Sequence, residues 1–312
     1  MSPIKISNSE IQTYKDCKRK WWLTYYRELG LVVEDLTGAR KLGTNVHTVL
    51  GDWYQDGVDP VNGIVTIYAE QIKAVEAAGQ DAAKLRKDAD LALAMIEGYL
   101  QWVDETGQDI DLELVGTEQV IEYPIEVIGH EVLLRGKLDA RFDRKSDGAR
   151  VFLDHKTVQS IDQMSRILPQ NEQMKFYHLL EHLVLGPAQE KRTDGALFNM
   201  LRKVKRTATA KPPFFDRLHV QHNRAVLEST WKRVIGTITE MLLTREALDA
   251  GEDHQVVCPP RPNMDCTWKC DFQPICAMFD DGSNVEGLMA EYYSHIDPHE
   301  RYNDESEKGG AE

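Results

Sequence analysis

The chain has 312 residues, 42% of them hydrophobic, with 37 basic against 51 acidic side chains and a formal net charge of −14. That is enough apolar material for one large core or two small ones. No run approaches the ~20 apolar residues of a membrane span, and the start Met-Ser-Pro-Ile-Lys-Ile-Ser lacks a signal-peptide apolar region. A cytoplasmic protein is expected, with its five cysteines held as thiols, and the acidic balance counts mildly against nucleic acid as a partner.

In chain order, Ser7-Asn8-Ser9-Glu10 offers caps for a helix over about Ser9–Arg27. Lys15, Lys18, Arg19, Lys20 and Arg27 interleave there with Trp21, Trp22, Tyr25 and Tyr26. Such a segment either serves single-stranded nucleic acid, with aromatics on bases and lysines on phosphates, or packs its aromatics as core. Leu42–Asp56 places Val46, Val49, Leu50 and Trp53 at helical spacing, and Ile64–Thr106 continues as helix with a break at Gly79-Gln80. Near residue 111 the pattern turns to β: Leu112–Glu126, a turn at Gly129, Glu131–Arg144, then Arg150–Lys156. Ser160–Leu185 reads as helix, Gly195–Lys205 as strand, and Phe214–Ala250 as helix ending at Gly251. A second basic cluster gathers Lys191, Arg192, Arg202, Lys203, Lys205, Arg206 and Lys211, and the polar end Asn303–Glu312 is expected to be disordered. The order predicts an α/β fold with a mixed central sheet and a helical N-terminal lobe.

The segment Gly136–Thr157 carries the chemistry. Asp139 ends one apolar run, and Val151-Phe152-Leu153 delivers Asp154 at the end of the next. Strand residues alternate faces, so Asp154 and Lys156 share one and His155 offers only its carbonyl. If the runs pair as a hairpin, Asp139 can lie across from Asp154. Two carboxylates and a carbonyl suit Mg²⁺ or Mn²⁺, with an ammonium alongside, for hydrolysis of a phosphodiester. The same residues also read as a charged hairpin turn.

Cys266, Cys270 and Cys276 fall within eleven residues, a spacing that suggests zinc or an iron–sulfur cluster. By spacing alone Cys258 is the fourth ligand and structural Zn²⁺ the favoured occupant.

Taken together, these features resemble the RecB-family nucleases of the PD-(D/E)XK superfamily, and within them the CRISPR-type (Cas-four-like) exonucleases and the iron–sulfur nuclease domains of helicase–nuclease complexes. The likeness runs from Ser9 to Cys276. Ser9–Cys17 resembles the N-terminal helix with its lone cysteine, and Gly43-Thr-Asn-Val-His47 the histidine motif. Gly136-Lys-Leu-Asp139 resembles the first acidic motif, Asp154-His-Lys-Thr157 the D-x-K-T motif, and Gln173-Met-Lys-Phe-Tyr177 the Q-x-x-x-Y motif.

The resemblance implies a restriction-endonuclease-like core within a single nuclease domain over 1–285. In it a helical lobe of about 30–110 is inserted, the catalytic core covers about 111–250, a cluster-binding segment 258–276 works with Cys17, and 286–312 is a tail. It implies a divalent ion on His47, Asp139, Asp154 and the His155 carbonyl, with Glu118 a further candidate, and catalytic roles for Lys156, Gln173 and Tyr177. It implies a [4Fe–4S] cluster on Cys17, Cys266, Cys270 and Cys276, leaving Cys258 spare. Three residues separate Cys266 from Cys270 where the family usually has two, so Cys258 stays open as a substitute. Candidate DNA contacts are Lys18, Arg19, Lys20, Arg202, Lys203, Lys205 and Arg206. The expected activity is metal-dependent exonucleolytic hydrolysis of DNA from single-stranded ends, in phage or bacterial recombination or repair. The alternative is a DNA-binding accessory subunit of a helicase–nuclease or recombination complex. The sequence has no G-x-x-x-x-G-K-[ST] loop, so unwinding would need a helicase partner.

Overall fold

The structure is a computed structural model that describes residues 3–32, 36–186 and 192–303. Lys191 and the end 304–312 lie outside the described residues.

Strand β1 (Ile4–Ser7) leads into helices α1 (Asn8–Asp16) and α2 (Lys18–Trp21), a π-helical turn over Trp22–Tyr26 and strand β2 (Leu29–Leu31). Helices α3 (Gly38–Asp56), α4 (Pro60–Ala77) and α5 (Ala83–Thr106) follow. Then come strands β3 (Leu112–Val127), β4 (His130–Arg144) and β5 (Arg150–Val158). Helices α6 (Ile161–Ile167) and α7 (Glu172–Leu185), strands β6 (Thr193–Arg202) and β7 (Phe215–Val220) and helix α8 (Arg224–Asp249) precede short helical turns and β8 (Tyr293–His295). No helix among the described residues is long and apolar enough to cross a membrane.

The chain forms two compact units: Met1–Glu34, Glu122–Gly136 and Ala225–Glu312 in one, Asp35–Ile121 and Lys137–Arg224 in the other. It passes between them inside β3 and β4.

The second unit contains the mixed sheet expected from the sequence. The C-terminal half of β4 runs antiparallel to β5, with Ala140 opposite Leu153. Strand β5 is parallel to β6, with Asp154 opposite Phe198, and β6 is antiparallel to β7. Val151, Phe152 and Leu153 are all buried, as a central strand covered on both faces requires. Leu42, Val46, Leu50, Ile64, Tyr68, Met95 and Tyr99 on α3, α4 and α5 build the main helical core.

Four expectations about elements change. Residues 215–220 form an edge strand, not the start of a long helix, because β6 offers an unpaired side that β7 fills through Phe198↔Leu218 and its neighbours. Strand β6 ends at Arg202. The helix over Ser9–Arg27 is interrupted at Cys17, whose backbone is extended at φ −161°. The Ser160–Leu185 helix breaks at Leu168–Gln170, where Pro169 cannot donate to the preceding turn.

In the first unit β1, which the sequence reading left unassigned, runs parallel to β4 with Ile4 opposite Val132. β2 and β8 pair antiparallel. The β3–β4 hairpin turns through Ile128 and Gly129, both at positive φ, a two-residue loop that matches strand twist. Glu10 is fully buried yet satisfied at one oxygen by the Trp21 indole at 3.0 Å and Arg245 at 2.9 Å.

Candidate active site

All the candidate metal-binding and catalytic residues fall in the second unit, and helix α3 organises one side of them. Gly43, His47, Gly51 and Gln55 recur every four residues, which keeps neighbours on one helical face. A Cβ at Gly43 would meet Thr157 Oγ1 at 3.3 Å, and one at Gly51 would meet the Glu118 side chain at 3.7 Å. Between the two glycines the helix approaches the sheet closely enough for His47 Nδ1 to sit 3.1 Å from Asp139 Oδ2. Gln55 Oε1 accepts from the Thr117 amide at 3.0 Å. One helical stripe thus touches β5, β4 and β3 in turn.

Asp139 Oδ2 also accepts from the His155 amide at 2.9 Å. Burial works to raise the Asp139 pKa, but the adjacent His47 outweighs it and holds the carboxyl well below the usual range. Burial works to lower the His47 pKa, and Asp139 more than offsets it, so the net shift is upward. Asp154 is almost wholly buried. Burial pushes its pKa up, against the pull of Lys156, whose Nζ lies 2.6 Å from Asp154 Oδ2. Lys156 Nζ also donates to Gln173 Oε1 at 3.3 Å, and Gln173 Nε2 donates to the Tyr177 hydroxyl at 3.2 Å. The i, i+4 pair on α7 is therefore wired to the lysine.

Beneath the centre lies a polar network that the sequence reading missed. His155 is buried, and its Nδ1 is 3.4 Å from Asn199 Nδ2. Asn199 donates to the Tyr99 hydroxyl, and Arg217 Nε donates to Asn199 Oδ1 at 2.7 Å. Arg217 is anchored by Asp109 at 2.6 Å, and Tyr54 bonds both Tyr99 and Asp109 at 2.9 Å. Burial first, and His47 second, lower the His155 pKa to about 3, so the ring stays neutral. The signal for this network was absent because Asp109, Arg217, Asn199, Tyr54 and Tyr99 come from four separate elements and the loop before β3.

Among the described residues no three His, Cys, Asp or Glu side chains are gathered as a ready ion site. The donors nevertheless fit a divalent ion. Asp154 Oδ2 is buried, and the ammonium of Lys156, 2.6 Å away, is the cation it faces. A second carboxylate, an imidazole and a carbonyl adjoin it, a set that suits Mg²⁺ or Mn²⁺. Glu118 is otherwise engaged, with its Oε2 2.8 Å from Lys137 Nζ.

Residues 5–277 match the PD-(D/E)XK nuclease superfamily. The chain belongs to that superfamily. Membership brings the class of activity, metal-dependent nuclease action on DNA with a divalent ion such as Mg²⁺ or Mn²⁺. Among solved structures, the crystal structure of SSO0001 is similar at 15% identity over 86% of this chain and 96% of its own, with a TM-score of 0.32. No curated protein matches the sequence.

In this superfamily member the cysteines lie in the first unit, all as free thiols. Cys17, Cys266, Cys270 and Cys276 line one cavity of about 510 Å³. Cys258 is not among its lining residues; it is fully buried, and burial raises its pKa to about 11.

Burial also corrects one candidate DNA contact. Arg19 is buried, paired with both oxygens of Asp280 at 2.7 and 3.0 Å and bonded to the Cys276 carbonyl. It is committed to the fold and unavailable to a phosphate, because the aromatic-basic segment turns one side inward with Trp21 and Trp22. Lys18 lies over the Tyr14 ring and Lys20 donates to the Lys269 carbonyl. In the second cluster Lys205 pairs with Asp90, Arg206 bonds Gln101, Arg202 bonds the Lys211 carbonyl and burial lowers the Lys203 pKa.

Proposed function

We propose that this chain is an exonuclease that hydrolyses DNA from single-stranded ends, with Asp139, Asp154 and Lys156 at its centre. The observation that carries the reading is the convergence of four separated motifs on one cluster of contacts, from His47–Asp139 to Asp154–Lys156–Gln173–Tyr177. His47, Asp139, Asp154 and the His155 carbonyl would hold the divalent ion. That ion, when bound, lowers the pKa of water and shields the scissile phosphate.

The chain's own residues do the rest. Gln173, backed by Tyr177, fixes the Lys156 ammonium where it stabilises negative charge building on the phosphate oxygens. Asp139 accepts the His155 amide, so carboxylate and carbonyl are oriented by one hydrogen bond. The Asn199–Arg217–Asp109 network supports the ring of His155 from behind.

The exonuclease assignment, the preference for single-stranded ends and a cytoplasmic role in phage or bacterial recombination or repair, with a helicase or recombinase partner, rest on the likeness to CRISPR-type and helicase-linked nucleases. In the first unit we place a [4Fe–4S] cluster on Cys17, Cys266, Cys270 and Cys276. Their sharing of one cavity without Cys258 supports this over Zn²⁺. A single zinc ion needs four ligands within about 2.3 Å of one point, whereas a cluster takes its thiolates around a volume.

The test is digestion of 5′- and 3′-labelled single- and double-stranded DNA with Mg²⁺, Mn²⁺ or chelator. Lys156→Ala and Asp154→Asn should each lose about 10³-fold in rate while the chain stays folded by circular dichroism. Cleavage by Lys156→Ala at the wild-type rate would overturn the assignment. DNA binding without any cleavage by the wild type would leave only an accessory DNA-binding subunit.

A further inference from the structure

Strand β3 is kinked at Thr117–Glu118. Gln55 of α3 accepts from the Thr117 amide and, at 3.2 Å, from its hydroxyl. Glu118 adopts φ +50°, a conformation that a residue with a side chain keeps only where its surroundings impose it. The kink delivers the Glu118 carboxylate to Lys137 Nζ at 2.8 Å. Lys137 lies two residues before Asp139 on β4, so both project from one face, about 7 Å apart along the strand. Both members of the pair remain within reach of solvent, Lys137 at 25% side-chain exposure and Glu118 at 44%.

We propose that Lys137 binds a backbone phosphate of the DNA next to the scissile one, and that Glu118 is an internal stand-in for that phosphate. This rests on the reading of Asp139 and Asp154 as the nuclease centre. A lysine is a point-charge donor suited to phosphate. Left unpaired on a face with two other carboxylates, it would swing toward Asp139 or Asp154. Glu118 holds it upstream instead. A half-exposed ion pair is weak, so a DNA phosphate can take the ammonium while Glu118 turns to water. The pair also accounts for an acid that stands near the centre yet has its carboxylate occupied by a cation.

The experiment uses the full chain and fluorescence anisotropy of a labelled single-stranded oligothymidine, with Ca²⁺ in place of Mg²⁺. Lys137→Ala should weaken binding about tenfold and reduce the slope of log affinity against log salt by about 0.7. Lys137→Arg should restore both, since the charge is kept. Glu118→Gln should tighten binding and leave the affinity for Mn²⁺, read by electron paramagnetic resonance of the free ion, unchanged. If Lys137→Ala matches the wild type in affinity and slope while the wild type binds and cuts DNA, the Lys137 assignment alone falls. If Glu118→Gln loses Mn²⁺, Glu118 is a metal ligand and the stand-in role is wrong. A wild type that neither binds nor cuts DNA overturns the nuclease reading along with it.

Discussion

At the scale of the residue, burial decides which side chains carry charge. His178 and His222 face each other on the second unit, with their Nδ1 atoms 3.3 Å apart and His178 Nε2 2.9 Å from Thr193 Oγ1. Burial, then His222, lowers the His178 pKa to about 3, and burial, then Lys175, lowers that of His222 to about 4. Both are neutral in the folded chain, while free histidine titrates near 6.5. Below that pH the unfolded chain binds more protons, so stability falls as pH drops from about 6.5 toward 4. Replacing both with glutamine should flatten the fall in denaturant stability between pH 7 and pH 5 by on the order of 4 kcal/mol, about 2 for each ring. Equal slopes for variant and wild type would refute the pairing as the cause. Arg19 makes the same point from the cationic side. In sequence it is one of five bases among aromatics; only its burial against Asp280 assigns it to the fold.

At the scale of the element, α3 matters most to the site. The motif Gly43-x-x-x-His47 was visible in sequence, but its extension to Gly51 and Gln55 gained meaning only with the sheet beneath it. The helix must lie close to the strands for His47 to reach Asp139, and small residues one turn to either side permit it. Gly51→Ala adds a Cβ in ordinary contact at 3.7 Å from Glu118. It should stabilise the chain by about 0.5–1 kcal/mol through helix propensity. Gly51→Leu should lift the helix and cut kcat/KM about 10²-fold, as misplacement by an ångström does. Activity at the wild-type level in Gly51→Leu would show that the close approach is dispensable. Strand β7 illustrates the opposite limit. Residues 215–220 carry no strong alternation, and their state was decided by the open edge of β6.

At the scale of the whole molecule, the first unit is assembled from three stretches of chain, including both ends. A cluster joining Cys17 to Cys266, Cys270 and Cys276 would close a loop of about 250 residues, worth on the order of 5 kcal/mol by chain entropy. Anaerobically purified protein should contain iron and sulfide and absorb near the visible edge as brown iron–sulfur proteins do. Cys270→Ser should lose that iron and lower the thermal midpoint, whereas Cys258→Ser should keep the iron. Zinc in place of iron on elemental analysis, or iron lost with Cys258, would reverse the ligand assignment.

The sequence by itself determined the α/β class, the mixed sheet and the order of the motifs, because strand alternation and helical spacing are local and Asp139, Asp154 and Lys156 lie close along the chain. It also named the four thiols of the cavity, through likeness rather than spacing, which favoured Cys258. The tertiary structure decided everything that depends on long-range contact. It set the buried Asp109–Arg217–Asn199 support beneath His155, the commitment of Arg19 to Asp280, and the strand at 215–220. It also brought about the meeting of Glu118 with Lys137. Each of these joins side chains or strands from different elements, and none leaves a periodic trace, since a contact between elements constrains single positions and not a repeating pattern.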